Sequence, residues 1–403
     1  MDEKTIYEQV AETGRLLLEK RLVARTWGNF SARLDETHFV ITPSGLGYEQ
    51  MAADDMVRFC LADETWKGTR KPSSEKGIHA QCYLLRPACN FVIHTHQANA
   101  SIISALGADI NDIEGKAKEI IGDNVPLAAY GLPGTGKLRK GVVRALKRSD
   151  SKAVIMKHHG AVCLGKDYDE AFAIASALED VCKKVVFDRC SAMANKPVET
   201  FREVCDYVTE LKKRADAPAP KLTAYDSSRE GNVVKLQGKD GSEKAIIGIA
   251  KENIILGDWP GELDMHVAIY KAREDVNYII QSQDEAVVAA SKITKVLRPL
   301  LDDFAQIAGT TVKTAFYNPN DILKTKKNVV KALGKHKNAA LLKDNGAVCV
   351  GSSQDEAEAA ERVTAKNCKT FVSSGLYEKV KPIGKVDSVL MNVIYRLKYS
   401  KQK

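Results

Sequence analysis

A chain of 403 residues, 44% hydrophobic and 28% charged, can bury a sizeable core and has the length of two or three ordinary domains. No stretch reaches the roughly 20 apolar residues that cross a bilayer, and the N-terminus, MDEKTIYEQV, is acidic where a secretory signal is basic and then apolar; the expectation is a cytoplasmic protein that avoids the membrane. Net charge is +8 with acidic residues interspersed nearly throughout, and the 9 cysteines form no CxxC pair, which argues against both nucleic-acid binding and a disulfide framework.

Along the first half, apolar runs of strand length alternate with helical patterns. IYEQVAETGRLLLEKRL (6–22) has helical periodicity, HFVIT (38–42) reads as a strand, and TWGNFS (26–31) and TPSGLG (42–47) are glycine-bearing turns with exposed amides. In PSSEKGIHA (72–80), Ser73 or Ser74 is expected to cap a helix with Glu75 in its first turn. NFVIHTH (90–96) reads as a strand. Period-2 alternation then puts His94 and His96 on one face with Cα atoms roughly 6.6 Å apart, within reach of one ion. GLPGTGKL (131–138) fits the GxxxxGK of a phosphate loop, but Leu138 stands where Ser or Thr must ligate magnesium, so a turn into a helix suffices. KAVIM (152–156) reads as another strand and runs into His158, His159 and Gly160. Of the two histidines only one can face the cleft, and His159 makes a third ligand candidate; three histidines with an open fourth position form the usual catalytic zinc arrangement. This alternation predicts α/β or α+β layering around a central sheet.

The chain then repeats itself. KHHGAVCLG (157–165) returns as KDNGAVCVG (343–351), a DEA triplet follows each, and Cys182-Lys183 returns as Cys368-Lys369, all offset by 186. Upstream the offset is 187, pairing Glu75 with Glu262, His79 with His266 and Tyr130 with Tyr317. The helical segments 201–214 and 387–400 match as well. The expected division is 1–214, an Ala/Pro connector at 215–222, and 223–403. In this register His94, His96 and His159 fall on Gln281, Gln283 and Asn345, whose neutral amides are poor zinc ligands. The stretch before Glu262 is about 16 residues shorter than its counterpart and lacks any TPSG. The second half thus reads as a copy without a metal site. The basic run KTKKNVVKALGKHKN (324–338) within it reads as a solvated helix face.

TWGNFSARL, ITPSGLGYE, PSSEKGIHAQCYLLRP, VIHTHQANA and KHHGAVCLG, in this order and spacing, resemble the class II aldolase/adducin family, of which L-fuculose-1-phosphate aldolase is the best-known type. The resemblance implies two tandem three-layer α/β/α domains, each around a mostly antiparallel sheet. It implies a zinc ion, or Mn2+ or Co2+ in its place, held by His94, His96 and His159, with Glu75 as fourth ligand and catalytic acid/base. Gly28, Asn29, Ser44, Gly45, Ser73 and Ser74 would hold the phosphate of a small-molecule sugar phosphate. The implied reaction is cleavage of a ketose 1-phosphate to dihydroxyacetone phosphate and an aldehyde, in which zinc stabilises enediolate charge. Pentulose-phosphate epimerases and sugar-phosphate dehydratases share the family, as do the non-catalytic adducin heads; glutamate at position 75 favours aldolase or dehydratase over epimerase, whose members carry aspartate there. The aldolases' donor tyrosine is missing from DINDIEGKAKE (109–119), which leaves Tyr130, Tyr207, Tyr395 and Tyr399 as candidate acids. Family rings of four subunits imply, for a tandem chain, a homodimer forming a pseudo-tetrameric ring.

Overall fold

The computed structural model describes residues 2–20, 22–23, 26–212, 224–248 and 262–399, without the side chains of 244–247, 262, 398 and 399. The connector expected at 215–222 lies outside the described residues, as do the side chains of Glu262 and Tyr399. Packing parts the chain inside a long helix into two compact units, with the break between Val186 and Phe187.

The first unit opens with helix α1 (Glu3–Glu19), capped by Asp2, whose carboxylate accepts from Thr5 N at 2.8 Å. Its strands are β1 (Gly28–Arg33), β2 (His38–Ile41), β3 (Val57–Cys60), β4 (Trp66–Lys67), β5 (Phe91–Thr95), β6 (Leu127–Ala128), β7 (Ala153–Met156) and β8 (Ala161–Gly165). Its helices continue with α2 (Lys76–Leu85), α3 (Ala98–Leu106), α4 (Gly115–Ile121), α5 (Gly136–Arg148) and the start of α6 (Tyr168–Ala194). The sheet order is β4-β3-β2-β1-β5-β8-β7-β6, antiparallel except for the β6–β7 pair. The strands β5, β7 and β8 are buried along their whole length, because helices cover both faces. On one face α2 and α5 bring Ile78, Tyr83, Leu138 and Val142 against Phe39, Phe59, Val92 and Val162, while α3 packs on β7 from the other.

The second unit repeats this plan with β9 (Tyr225–Glu230), β10 (Val233–Gly238), β11 (Glu243–Gly248), β12 (Tyr278–Ser282), β13 (Val296–Leu297), β14 (Val312–Ala315), β15 (Ala339–Leu342) and β16 (Gly346–Gly351). The order β11-β10-β9-β12-β16-β15-β14-β13 is again antiparallel but for one pair, β14–β15. Helices α8 (Glu262–Ala272), α9 (Glu285–Ile293), α10 (Asp302–Ile307), α11 (Ile322–Leu333) and α12 (Gln354–Ser374) stand where α2 to α6 stand in the first sheet. The duplicated, mostly antiparallel α/β architecture expected from the sequence is therefore present in both halves. Most of the basic run lies on α11, which buries Thr325, Val329, Ala332 and Leu333 and exposes Lys324, Lys327 and Lys331.

The closing helices behave differently from each other. Helix α7 (Phe201–Leu211) starts with a capping box between Thr200 and Glu203, and packs on α9 and α12 within the second unit. It buries Val204, Cys205 and Val208 there, and Arg202 reaches Glu285 at 3.5 Å. Its sequence counterpart α13 (Lys385–Ile394) packs on α10, yet leaves Val386, Val389, Leu390, Val393 and Ile394 exposed, with Leu397 just beyond.

Candidate metal centre

Strand β5 delivers His94 from its end and His96 one residue beyond it, and antiparallel pairing sets His94 opposite Asn29 of β1 and Val162 of β8. His159 comes from the tight turn between β7 and β8, where Met156 N donates to Gly160 O at 2.7 Å and His158 takes the left-handed φ of +61°. That geometry turns His158 toward Tyr130, with ring centroids 5.6 Å apart, and gives His159 to the cluster. Gly160 is required there: a Cβ would lie 2.2 Å from Thr95 O. Gly28 is held as tightly, at φ +119° with a Cβ position 2.6 Å from His94 O.

The three imidazoles bring ligand atoms within 4.8 Å of one another, and no other such group of His, Cys, Asp and Glu occurs among the described residues. Glu75 joins them. Its Oε2 is 3.0 Å from His94 Nε2 and its Oε1 is 2.9 Å from His159 Nε2, while His94 and His96 face each other through Nε2 atoms 3.1 Å apart. His94 and His159 are nearly stacked, with ring planes 17° apart. Glu75, His94 and His159 are buried and His96 is half-buried.

The donor set fits a cation. His94 Nδ1 lies 2.8 Å from the carbonyl of Ala161, which can only accept, so Nδ1 carries the proton. Nε2, the nitrogen left for ligation, faces a carboxylate oxygen and a second imidazole nitrogen, an arrangement that a positive charge between them would hold together. Burial pushes the Glu75 carboxyl up; when His159 and His94 carry protons in place of a metal, their fields and hydrogen bonds outweigh it and hold the carboxyl well below the usual carboxylate range.

Neither Ser73 nor Ser74 caps α2. Glu75 itself is the N-cap residue, without a side-chain cap bond, because its carboxylate is drawn to the histidines; Ser73 Oγ accepts instead from Glu75 N at 3.2 Å. The two loops expected around a phosphate are tied together: Ser44 N donates to Lys71 O at 2.9 Å, Ser73 N donates to Thr42 O at 3.1 Å, and Pro43 bridges Pro72. Ser44, Gly45 and Ser74 are exposed and Ser73 is buried, while Gly28 and Asn29 line β1 beside them. A cavity of about 170 Å³ opens next to Glu75, walled by Ser74, Gly134, Thr135 and Arg139. Gly134 and Thr135 belong to the loop that mimics a phosphate loop. Thr135 caps α5 and Leu138 is buried in the core, as a plain turn into a helix requires.

Among the candidate acids, Tyr207 donates to Met193 O at 2.9 Å within the helical layer, Tyr130 lies beside His158, and Tyr395 is half-buried in the second unit. Sequence reasoning gave no role to His79, Ser31 and Tyr83. They form a buried chain that reaches Glu75 through Asn29, and its signal was the return of the same three residues as His266, Ser227 and Tyr270. In the second unit the position of His94 is Gln281, which accepts from Tyr225 N at 2.7 Å, so it now serves the backbone.

Two stretches of the chain, residues 8–186 and 224–372, match the family model described as the class II aldolase and adducin N-terminal domain. A 5-methylthioribulose-1-phosphate/5-deoxyribulose-1-phosphate aldolase of Rhodospirillum rubrum is 28% identical over 198 residues, 48% of this chain and 87% of that protein. The L-fuculose phosphate aldolase of Escherichia coli is 29% identical over 179 residues, 44% of this chain and 81% of the relative. A solved L-fuculose 1-phosphate aldolase aligns at 24% identity and a TM-score of 0.43, covering 50% of this chain and 92% of the other.

Proposed function

Because both halves of the chain belong to the class II aldolase and adducin N-terminal domain family, and among the described residues only the first half carries the metal-ligand cluster, we propose that this metal-dependent aldolase cleaves a ketose 1-phosphate to dihydroxyacetone phosphate and an aldehyde at a single centre, with zinc as its metal. The observation that carries the proposal is the Glu75 carboxylate lying between His94 and His159. By their names, the Rhodospirillum rubrum relative acts on ribulose 1-phosphate derivatives and the Escherichia coli relative on L-fuculose phosphate.

His94, His96 and His159 hold the cation, with Glu75 as a fourth ligand. A divalent cation supplies Lewis-acid stabilisation of the negative charge that develops on the ketose oxygens. In the cleavage the C4 hydroxyl gives up its proton, the C3–C4 bond breaks with its electron pair left on the C2–C3 fragment, and C3 takes up a proton. Glu75, a carboxylate at rest, accepts the proton that the C4 hydroxyl gives up and, as the acid, returns it to C3. The tied loops with Ser44, Gly45, Ser73 and Ser74, together with Gly28 and Asn29, bind the phosphate through backbone amides and hydroxyls. The exposed apolar stripe of α13 supports a homodimer.

The test is a panel of ketose 1-phosphates assayed for dihydroxyacetone phosphate with protein loaded to saturation with Zn2+. Release from at least one sugar, with about one equivalent of metal per chain, is expected. A saturated protein that releases none, or that takes up two equivalents, overturns the proposal.

A further inference from the structure

The buried chain behind Glu75 has a forced direction. A carboxylate only accepts, so the Asn29 atom 3.1 Å from Glu75 Oε2 is the amide nitrogen, and Asn29 Oδ1 is turned the other way, to His79 Nε2 at 2.6 Å. An amide oxygen also only accepts, so His79 carries its proton on Nε2. Burial holds the imidazolium form down to about 3, so the ring is neutral and Nδ1 accepts. Its partner is Ser31 Oγ at 2.6 Å, and the Ser31 oxygen in turn faces Tyr83 Oη at 2.7 Å. Every proton in the series Tyr83, Ser31, His79, Asn29, Glu75 thus points toward the carboxylate.

The degenerate copy shows which part of the series belongs to the fold. Ser227 Oγ is 2.7 Å from His266 Nδ1 and 2.8 Å from Tyr270 Oη, so the inner three residues persist without a metal site. The position of Asn29, counted from the paired serines, is Tyr225, which has no amide to turn. The link from histidine to asparagine is present only where the ligand cluster is present.

We propose that His79 is a positioning residue of the metal centre: by holding Asn29 Oδ1 it fixes the amide so that the Asn29 nitrogen aims Glu75 at the cation. The inference rests on the reading of Glu75 as a metal ligand, and it needs no knowledge of the sugar. The expected size is that of partners behind metal ligands in general, about 10- to 100-fold in affinity.

The experiment is a double-mutant cycle on the full chain, read as the Zn2+ dissociation constant in competition with a chelator. His79→Asn keeps an acceptor for Ser31 but falls short of Asn29, and should weaken Zn2+ binding about 10-fold or more. His79→Gln reaches Asn29 with an amide nitrogen and should bind Zn2+ near the wild-type level. In a Glu75→Ala background His79→Asn should cost nothing further, because the carboxylate it positions is gone. An equal loss in both backgrounds, or none in the wild type, overturns the inference. If His79→Asn fails to fold, Ser31→Ala replaces it in the same cycle, since it removes the hydroxyl that selects the His79 tautomer; a loss present with Glu75 and absent without it is again required. Zn2+ binding is measured without substrate, so a chain that cleaves no ketose 1-phosphate sinks the proposed reaction and leaves this result standing.

Discussion

Glu75 does two jobs that its position in sequence makes compatible. As N-cap residue of α2 it is anchored by the helix, and without a side-chain cap bond its carboxylate is free to lie between His94 and His159. Replacing the carboxylate by an amide preserves shape and removes the negative charge and the proton-accepting ability. Glu75→Gln should therefore lower kcat by about 10²- to 10⁴-fold while the melting temperature changes little, and steady-state kinetics beside a thermal melt will read both. An active Glu75→Gln enzyme would return the residue to a structural role. The three histidines were legible in sequence because strand alternation and strand-end position are local rules. The link from His79 through the Asn29 side chain to Glu75 was not: its contacts span 46 to 50 residues of chain, and a histidine four residues into a helix looks like any buried position.

At the scale of elements, the turn from β7 to β8 places His159, and the turn from β15 to β16 is its metal-free duplicate. The duplicate keeps the backbone shape to the degree that Asp344, like His158, stands at a left-handed φ, here +62°. In both turns the following glycine presses on the neighbouring strand: a Cβ would fall 2.2 Å from Thr95 O at Gly160 and 2.0 Å from Ser282 O at Gly346. Gly160→Ala and Gly346→Ala should each destabilise the fold by about 1–3 kcal/mol, the usual cost of overpacking, seen in denaturant melts. Only Gly160→Ala should weaken Zn2+ binding as well, since His159 moves with the turn. Metal loss from both variants would mean that the second copy props the centre through the fold at large. The repeat in sequence predicted that these turns come in pairs, because an internal duplication copies local geometry with its residues. It was silent on α7, which is homologous to α13 yet buried in the second unit, since the sequence of a helix states which face is apolar and not which surface receives it.

At the scale of the whole molecule, the closing helices set a requirement for assembly. Helix α7 belongs by repeat to the half with the metal ligands, but it buries Val204 and Val208 against α9 and α12. Helix α13 has the same apolar pattern, with Leu390 and Ile394 at the matching positions still 43% and 38% exposed. Five exposed large apolar residues along one helix of ten make a surface that water does not tolerate without cost, and a self-complementary dimer is the simplest arrangement that covers it. The chain should sediment as a homodimer, and Val389→Asp with Val393→Asp should shift it to monomers. A fragment ending near Ala215 tests the dependence from the other side. It holds every proposed metal ligand, but it strips α7 of its partners and exposes Val204, Cys205 and Val208 together. It is expected to be poorly soluble, wrongly assembled or nearly inactive. Full activity from such a fragment, sedimenting as a monomer, would show that the first half is a complete enzyme and that the second copy is retained for something other than covering α7.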